Sequence, residues 1–261
     1  MDDGVSATHR EPHIAFDDIG SGDPAVVLLH GLFGDRAYYA AQAQHLAARH
    51  RVLSIDLRGH GDSDVPDAGY SLDALAGDVI RVCDEAGVAH AVFCGHSMPV
   101  ALKVVVQRPD LAAGLVMLDG TVLLPASERE RLTGFWGPVL ETDGWRDALL
   151  GFFGGIAGDS AERVRADIAA APRVYAAPLL RDIMSSDYSS DLTEAHCPLL
   201  YVHGRMPIEL DRLRALRPDA IVESIPNAGH WLMLTAPDEV NAVLDRFLYA
   251  LPSSILERVS A

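Results

Sequence analysis

Val92-Phe93-Cys94-Gly95-His96-Ser97-Met98-Pro99 is a short apolar run that ends in Gly-His-Ser-Met and passes into helix-compatible residues. It reads as a strand feeding a sharp turn that holds the Ser97 hydroxyl where a substrate can reach it. Far downstream, Asn227-Ala228-Gly229-His230-Trp231 offers a histidine on a loop just before a C-terminal helix. A serine and a histidine so placed point to nucleophilic acyl chemistry.

On either side of this segment the same pattern recurs. Ala25 to His30, Arg51 to Asp56, Ala91 to Gly95, Gly114 to Asp119, Leu199 to His203 and Ala220 to Ile225 are apolar runs of strand length, and a further short strand is expected around His13 to Phe16. Continuous rather than alternating hydrophobicity is what a strand covered by helices on both faces requires. Helical spacing marks Tyr38 to Arg49, Leu72 to Ala86 and Met98 to Gln107, and Pro237 to Leu251 is expected as an amphipathic helix with Pro237 in its first turn. The expected fold class is therefore α/β, a doubly wound, mostly parallel sheet. The alternation breaks after Thr121, where helical patterns rich in Leu, Phe and Trp run on to about Asp191. Residues 1–120 and 191–261 are read as the core and 121–190 as a small helical cap inserted in it.

The 261 residues are 49% hydrophobic and 22% charged, enough for one large core. A formal charge of −16 disfavours nucleic acid and anionic membranes as partners, because both are bound by Lys and Arg that neutralise phosphates. Met1 to Asp18 is polar and acidic, without an apolar signal-like region, and no apolar run approaches the roughly 20 residues that span a bilayer. Cys83, Cys94 and Cys197 are odd in number, lie in apolar segments and lack metal-ligand spacing. Together these features lead to the expectation of a cytoplasmic protein with buried free thiols; the sequence does not indicate its oligomeric state.

A serine hydroxyl is a poor nucleophile at neutral pH, so it needs a base within hydrogen-bond reach and donors aimed at the developing oxyanion. The residue after the serine supplies one backbone N–H, that of Met98, expected to be free at the start of a helix. The loop after His30 supplies the second, the N–H of Leu32, with Gly31 permitting the tight turn. The remaining histidines, such as His45, His50 and His90, are scattered without ligand spacing, so neither metal nor cofactor is expected.

Four segments in order, each at an expected strand end, resemble the α/β-hydrolase fold family: His30-Gly31-Leu32-Phe33-Gly34, Asp56 to Ser63, Gly95-His96-Ser97-Met98, and Gly229-His230-Trp231-Leu232-Met233-Leu234 with Pro237. The resemblance runs from about Val26 to Leu248. It implies Ser97 as nucleophile, His230 as general base and the N–H groups of Leu32 and Met98 as the oxyanion hole. It gives Asp56 to Ser63 the role of a hydrogen-bonded structural turn. His30 and His96 flank the active-site loops and are expected to pack there or support the catalytic groups rather than act as acid or base.

Two departures from the family pattern stand out. Where it writes a glycine after Gly-x-Ser-x, this chain has Pro99 followed by Val100, bulk expected to narrow or reshape the pocket or, in the alternative, to seal Ser97 away. The usual aspartate after the penultimate strand is also missing from Val202-His203-Gly204-Arg205-Met206-Pro207. Asp119, at the end of the strand that follows the nucleophile's helix, meets the need for a carboxylate at the same sheet edge. Glu209 and Asp211 remain alternatives.

The expected activity is cofactor-independent hydrolysis, through an acyl-enzyme, of a small apolar or aromatic ester, lactone or related acyl compound. Aromatic and aliphatic cap residues, among them Leu123, Leu124, Phe135, Trp136, Trp145, Phe152, Phe153 and Tyr188, favour an apolar substrate over a sugar or peptide, although most would pack the cap's own core. Cofactor-free dioxygenation of a heteroaromatic substrate and hydrolysis of a carbon–carbon bond are rival chemistries on the same fold. A receptor that keeps the pocket without turnover is the rival outside enzymology.

Overall fold

Five of the six continuous apolar runs become strands buried on both faces, and the last, Ala220 to Ile225, becomes a partly exposed edge strand. A computed structural model describes residues 10–153, 156, 158 and 160–252. The tails 1–9 and 253–261 of the expected core, and residues 154, 155, 157 and 159 of the expected cap, lie outside the described residues. In chain order the strands are β1 (Phe16–Gly20), β2 (Ala25–Leu29), β3 (Arg51–Ile55), β4 (Ala91–His96), β5 (Ala112–Leu118), β6 (Leu199–His203) and β7 (Ile221–Ser224). They form one seven-stranded sheet in the order β1-β3-β2-β4-β5-β6-β7, in which β1 alone is antiparallel to its neighbour. Every residue of β2 and β4 is buried. A side chain such as Phe93, fully buried, is worth roughly 1.5–3 kcal/mol relative to exposure, so this pattern dominates the choice of fold.

β1 forms three residues later than the sequence suggests, in Phe16-Asp17-Asp18-Ile19-Gly20. An edge strand needs no apolar face on its outer side, and its carboxylates find cations locally: Asp17 pairs with Arg36 at 3.2 Å and Asp18 with Arg51 at 2.7 Å. Hydropathy therefore hides this strand.

The helices are α1 (Ala40–Leu46), which follows a 3₁₀ turn over Arg36–Tyr39, then α2 (Leu72–Glu85) and α3 (Val100–Gln107). Between β5 and β6 run α4 (Ala126–Val139), α5 (Trp145–Phe153), α6 (Ala161–Ala170), α7 (Arg173–Ser185) and α8 (Ser189–Glu194), with no strand among the described residues of that stretch. α9 (Leu210–Leu216), α10 (Leu232–Thr235) and α11 (Pro237–Tyr249) complete the chain, with Pro237 in the first turn of α11, where its missing N–H costs nothing. Among the described residues no helix is long and apolar enough to cross a membrane.

The strand order reverses between β2 and β4, so the loops leaving their C-terminal ends part there and leave a crevice at the sheet edge. Residues 30–34 and Ser97 leave those two strands, and Asp119 leaves the next strand along. The helices after β5 are tied across this edge. Tyr38 donates its hydroxyl proton to Asp167 of α6 at 2.7 Å, Arg163 of α6 reaches Asp35 at 2.7 Å, and the Arg163 guanidinium sits over the Tyr38 ring at 4.8 Å.

Candidate active site

β4 ends at His96, and the next residue, Ser97, takes φ 61°, a left-handed conformation that costs a non-glycine residue of order 1–3 kcal/mol. The surrounding backbone holds it there. Ser97 N–H donates to Leu118 O at 3.0 Å, while Thr121 donates both its N–H and its hydroxyl to Ser97 O, at 2.9 and 3.0 Å. The turn is tighter than expected. Met98 N–H is not free but closes a three-residue ring onto His96 O at 2.6 Å, and α3 starts at Val100 instead of Met98. Pro99 occupies the cap position of α3, where it needs no N–H, and it does not line the cavity above Ser97. Ser97 remains partly exposed.

Asp119, at the end of β5, also has positive φ, 48°, and its N–H donates to Val202 O at 2.8 Å. Its fully buried carboxylate accepts N–H bonds from Gly204 at 2.8 Å, Arg205 at 3.0 Å and Met206 at 3.0 Å, and meets His230 Nδ1 at 2.7 Å. Burial alone would raise its pKa. The bond and charge of His230, with the N–H groups of Arg205 and Gly204, outweigh burial and hold the carboxyl below its ordinary value. The loop 204–206 thus wraps the Asp119 carboxylate with peptide donors. A Cβ on Gly204 would lie 2.9 Å from Asp119 Cγ, so this wrapping needs glycine there. Glu209 instead pairs with Arg212 at 3.1 Å, and the fully exposed Asp211 with Arg214 at 3.2 Å.

His230 Nε2 stands 3.1 Å from Ser97 Oγ. With Nδ1 facing a carboxylate, the network assigns the proton to Nδ1 and leaves Nε2 as the acceptor for the serine hydroxyl. The peptide of His230 is held as well, because His96 Nε2 donates to His230 O at 2.8 Å, with the two ring centres 4.6 Å apart. Burial pushes the His96 pKa down to about 3, with the nearby His230 as a second cause, so His96 is a neutral donor.

The loop after β2 packs directly on the elbow. A Cβ on Gly31 would fall 2.5 Å from His96 Nδ1 and 3.1 Å from Ser97 Cβ, so only glycine allows this approach. His30 accepts the Leu57 N–H on Nε2 at 3.0 Å and donates from Nδ1 to Gly31 O at 2.8 Å, a pattern that only the neutral ring satisfies; burial lowers its pKa to about 4. His60 Nε2 lies 3.0 Å from Leu32 O, fixing the Leu32 peptide. Among the described residues the Leu32 N–H has no backbone or side-chain acceptor. The Asp56 to Ser63 segment is hydrogen-bonded as a turn: Asp56 accepts from Asp62 N–H at 2.9 Å and pairs with Arg36, and Ser63 Oγ donates to Asp56 O at 2.7 Å.

Ser97 and His230 open into a cavity with about 430 Å³ of atom-free space, counting the part that opens to solvent. Its walls are apolar, chiefly Phe153, Leu180, Ile183, Met184, Met206 and Trp231, with Thr121 and Tyr38 as additional polar groups. Of the cap residues singled out by composition, Phe153 lines this cavity and Phe152 a neighbouring one; Trp136, Trp145 and Tyr188 are buried and Phe135 is exposed. Sequence reasoning missed Thr121, the clamp of His96 on the His230 peptide, and the N–H wrapping of Asp119. A threonine two residues past a strand-end aspartate was the only local hint. Cys83, Cys94 and Cys197 are buried and unbridged, and burial pushes their thiols up to about 12, about 12 and about 11. No group of three or more His, Cys, Asp or Glu among the described residues is placed to hold a metal ion.

A parallel sheet with a serine turned out at the end of one strand, an imidazole beside it and a carboxylate from the adjacent strand defines the α/β-hydrolase class. The chain belongs to the alpha/beta hydrolase family, whose model matches residues 26–243. It is 28% identical to the sn-1-specific diacylglycerol lipase of Mus musculus, over 86% of this chain and 81% of that protein. It is 27% identical to the 2-(acetamidomethylene)succinate hydrolase of Mesorhizobium japonicum, over 88% of this chain and 90% of that protein. Among solved structures, a thermophilic esterase from Thermogutta terrifontis superposes with a TM-score of 0.77 at 26% identity, covering 94% of this chain and 96% of that one. The chain is a hydrolase of this family.

Proposed function

We propose that this hydrolase cleaves a small apolar or aromatic ester, lactone or related acyl compound through an acyl-enzyme on Ser97. His230 takes the Ser97 proton as the hydroxyl attacks the acyl carbon and returns it to the leaving group. Asp119 orients the imidazole and stabilises its charged form. The Leu32 N–H is the free oxyanion donor. The Met98 N–H, the second donor, is shared with His96 O, so it serves the oxyanion by loosening a bent three-residue bond. Residues 121–190 act as the cap that supplies the apolar wall.

The reading rests on one observation, the unbroken chain of contacts from Ser97 Oγ to His230 Nε2 at 3.1 Å and from His230 Nδ1 to Asp119 Oδ2 at 2.7 Å. The apolar lining supports the substrate class, and the lipase and esterase relatives support hydrolysis without choosing the molecule. A fluorophosphonate probe labels Ser97 in the wild type and leaves Ser97→Ala unlabelled; a folded wild type that resists the probe and turns over no ester refutes the proposal. Cofactor-free oxygenation needs a histidine and an acid but no serine. Oxygen uptake with a hydroxyquinolone-type substrate that survives Ser97→Ala would therefore transfer the assignment to that reaction.

A further inference from the structure

Two outer chambers flank His230 that the acyl chemistry does not use. One, about 830 Å³ counting the space that opens to solvent, is lined by Arg131, Phe152, Phe153 and Arg205; the other, about 810 Å³ on the same count, by Arg205, Asn227 and Thr235. His230, Trp231 and Arg205 are common to both. We propose that Arg205 binds an anionic group, so that the acyl compounds this site prefers carry a carboxylate held in the outer chambers while the scissile bond lies at Ser97. This inference rests on the acyl-transfer reading of Ser97 and refines its substrate class: the apolar or aromatic body at Ser97 carries a carboxylate at its far end.

Three independent features of Arg205 carry the argument. First, among the described residues its guanidinium has no hydrogen-bond or ion-pair partner. Every other described arginine except Arg10 is engaged with a carboxylate or a carbonyl. Arg131, which lines one of the same chambers, already spends its charge on Glu128 at 2.6 Å. Second, the root of the Arg205 side chain is fixed. Its N–H donates to the same Asp119 oxygen that meets His230, and the Gly204 and Met206 N–H groups on either side bind Asp119 too. A guanidinium on so rigid a base loses less freedom on binding than one on a mobile loop. Third, the described lining of both chambers carries no negative charge. None of the described residues lining either one is acidic, in a chain with 37 Asp and Glu against 21 Lys and Arg. Grooves elsewhere carry acids, Asp35 and Asp167 in one and Asp110 in another. A planar, permanently charged fork on an exposed residue beside a described lining without acids suits a carboxylate, which it can grip through two parallel N–H bonds.

Matched esters test this: phenyl butyrate against monophenyl succinate, with the carboxylate on the acyl side, and phenyl acetate against 3-acetoxybenzoate, with it on the leaving group. The readout is the ratio of kcat/KM for the charged ester to that for its neutral partner. Arg205→Gln is expected to lower this ratio about tenfold in one pair, mainly through KM, and Arg205→Lys to keep part of it. A fall of under about threefold in both pairs overturns the proposal while leaving the serine chemistry standing. Calorimetric titration of Ser97→Ala with succinate and benzoate separates the two readings if no ester is turned over. Binding about tenfold tighter than in Ser97→Ala/Arg205→Gln upholds Arg205 even then, and equal binding rejects it.

Discussion

Asp119 serves two partners with one carboxylate, taking three peptide N–H bonds from residues 204–206 and orienting His230. Asp119→Asn is therefore expected to lower kcat by about 10⁴-fold, as loss of the orienting charge does in a serine triad, whereas Glu209→Gln and Asp211→Asn leave kcat close to wild type. Steady-state kinetics on any ester substrate, with circular dichroism to verify folding, checks this; equal effects in all three would place the acid elsewhere. Ser97 and His230 could be read directly from their local motifs. Asp119 was the favoured acid in the sequence with Glu209 and Asp211 as alternatives; hidden from the sequence was the pairing of β5 with β6, which brings the 204–206 loop onto Asp119 and leaves Glu209 and Asp211 with arginine neighbours. Arg205 was invisible for a related reason. An unpaired arginine can be recognised only once the partners of all the others are known.

The strand, turn and helix around Ser97 work as a unit whose parts are held by the loops beside it. His96, the last residue of β4, sends its Nε2–H to the His230 carbonyl and thereby sets the height of the imidazole above the elbow. His96→Leu removes that donor and leaves a buried carbonyl unpaired, at a cost of about 1–3 kcal/mol. It is expected to lower kcat about tenfold or more with little change in KM, and His96→Gln, which keeps an N–H donor, should recover part of the loss. Comparable kcat for all three proteins would reduce His96 to packing. Gly31→Ala tests the same junction from the other side, since its Cβ would press on the His96 ring 2.5 Å away. Both Tm and kcat should fall. The central strands were legible because both their faces are apolar. β1 was misplaced because an edge strand can leave both Asp17 and Asp18 exposed, and the sharing of the Met98 N–H with His96 O was not foreseen because helix-compatible residues do not reveal how much chain a left-handed serine consumes.

Buried neutral histidines make the stability of the protein depend on pH. His30 and His96 have folded pKa values lowered by burial to about 4 and about 3, below the ordinary 6.5. Between those limits the unfolded chain binds more protons, so stability is complete above about pH 6.5 and is lost as the pH falls towards the folded values. At about pH 5 each residue should cost roughly 2 kcal/mol relative to about pH 7, while carboxylates held below their ordinary value, such as Asp119, still contribute in full. Urea unfolding at the two pH values measures this, and an unchanged unfolding free energy would show that neither ring is buried neutral. The ties of Tyr38 to Asp167 and of Arg163 to Asp35 join α6 to the segment directly after Leu32. A displacement of α6 would therefore strain the loop that carries the Leu32 peptide, the oxyanion donor proposed above.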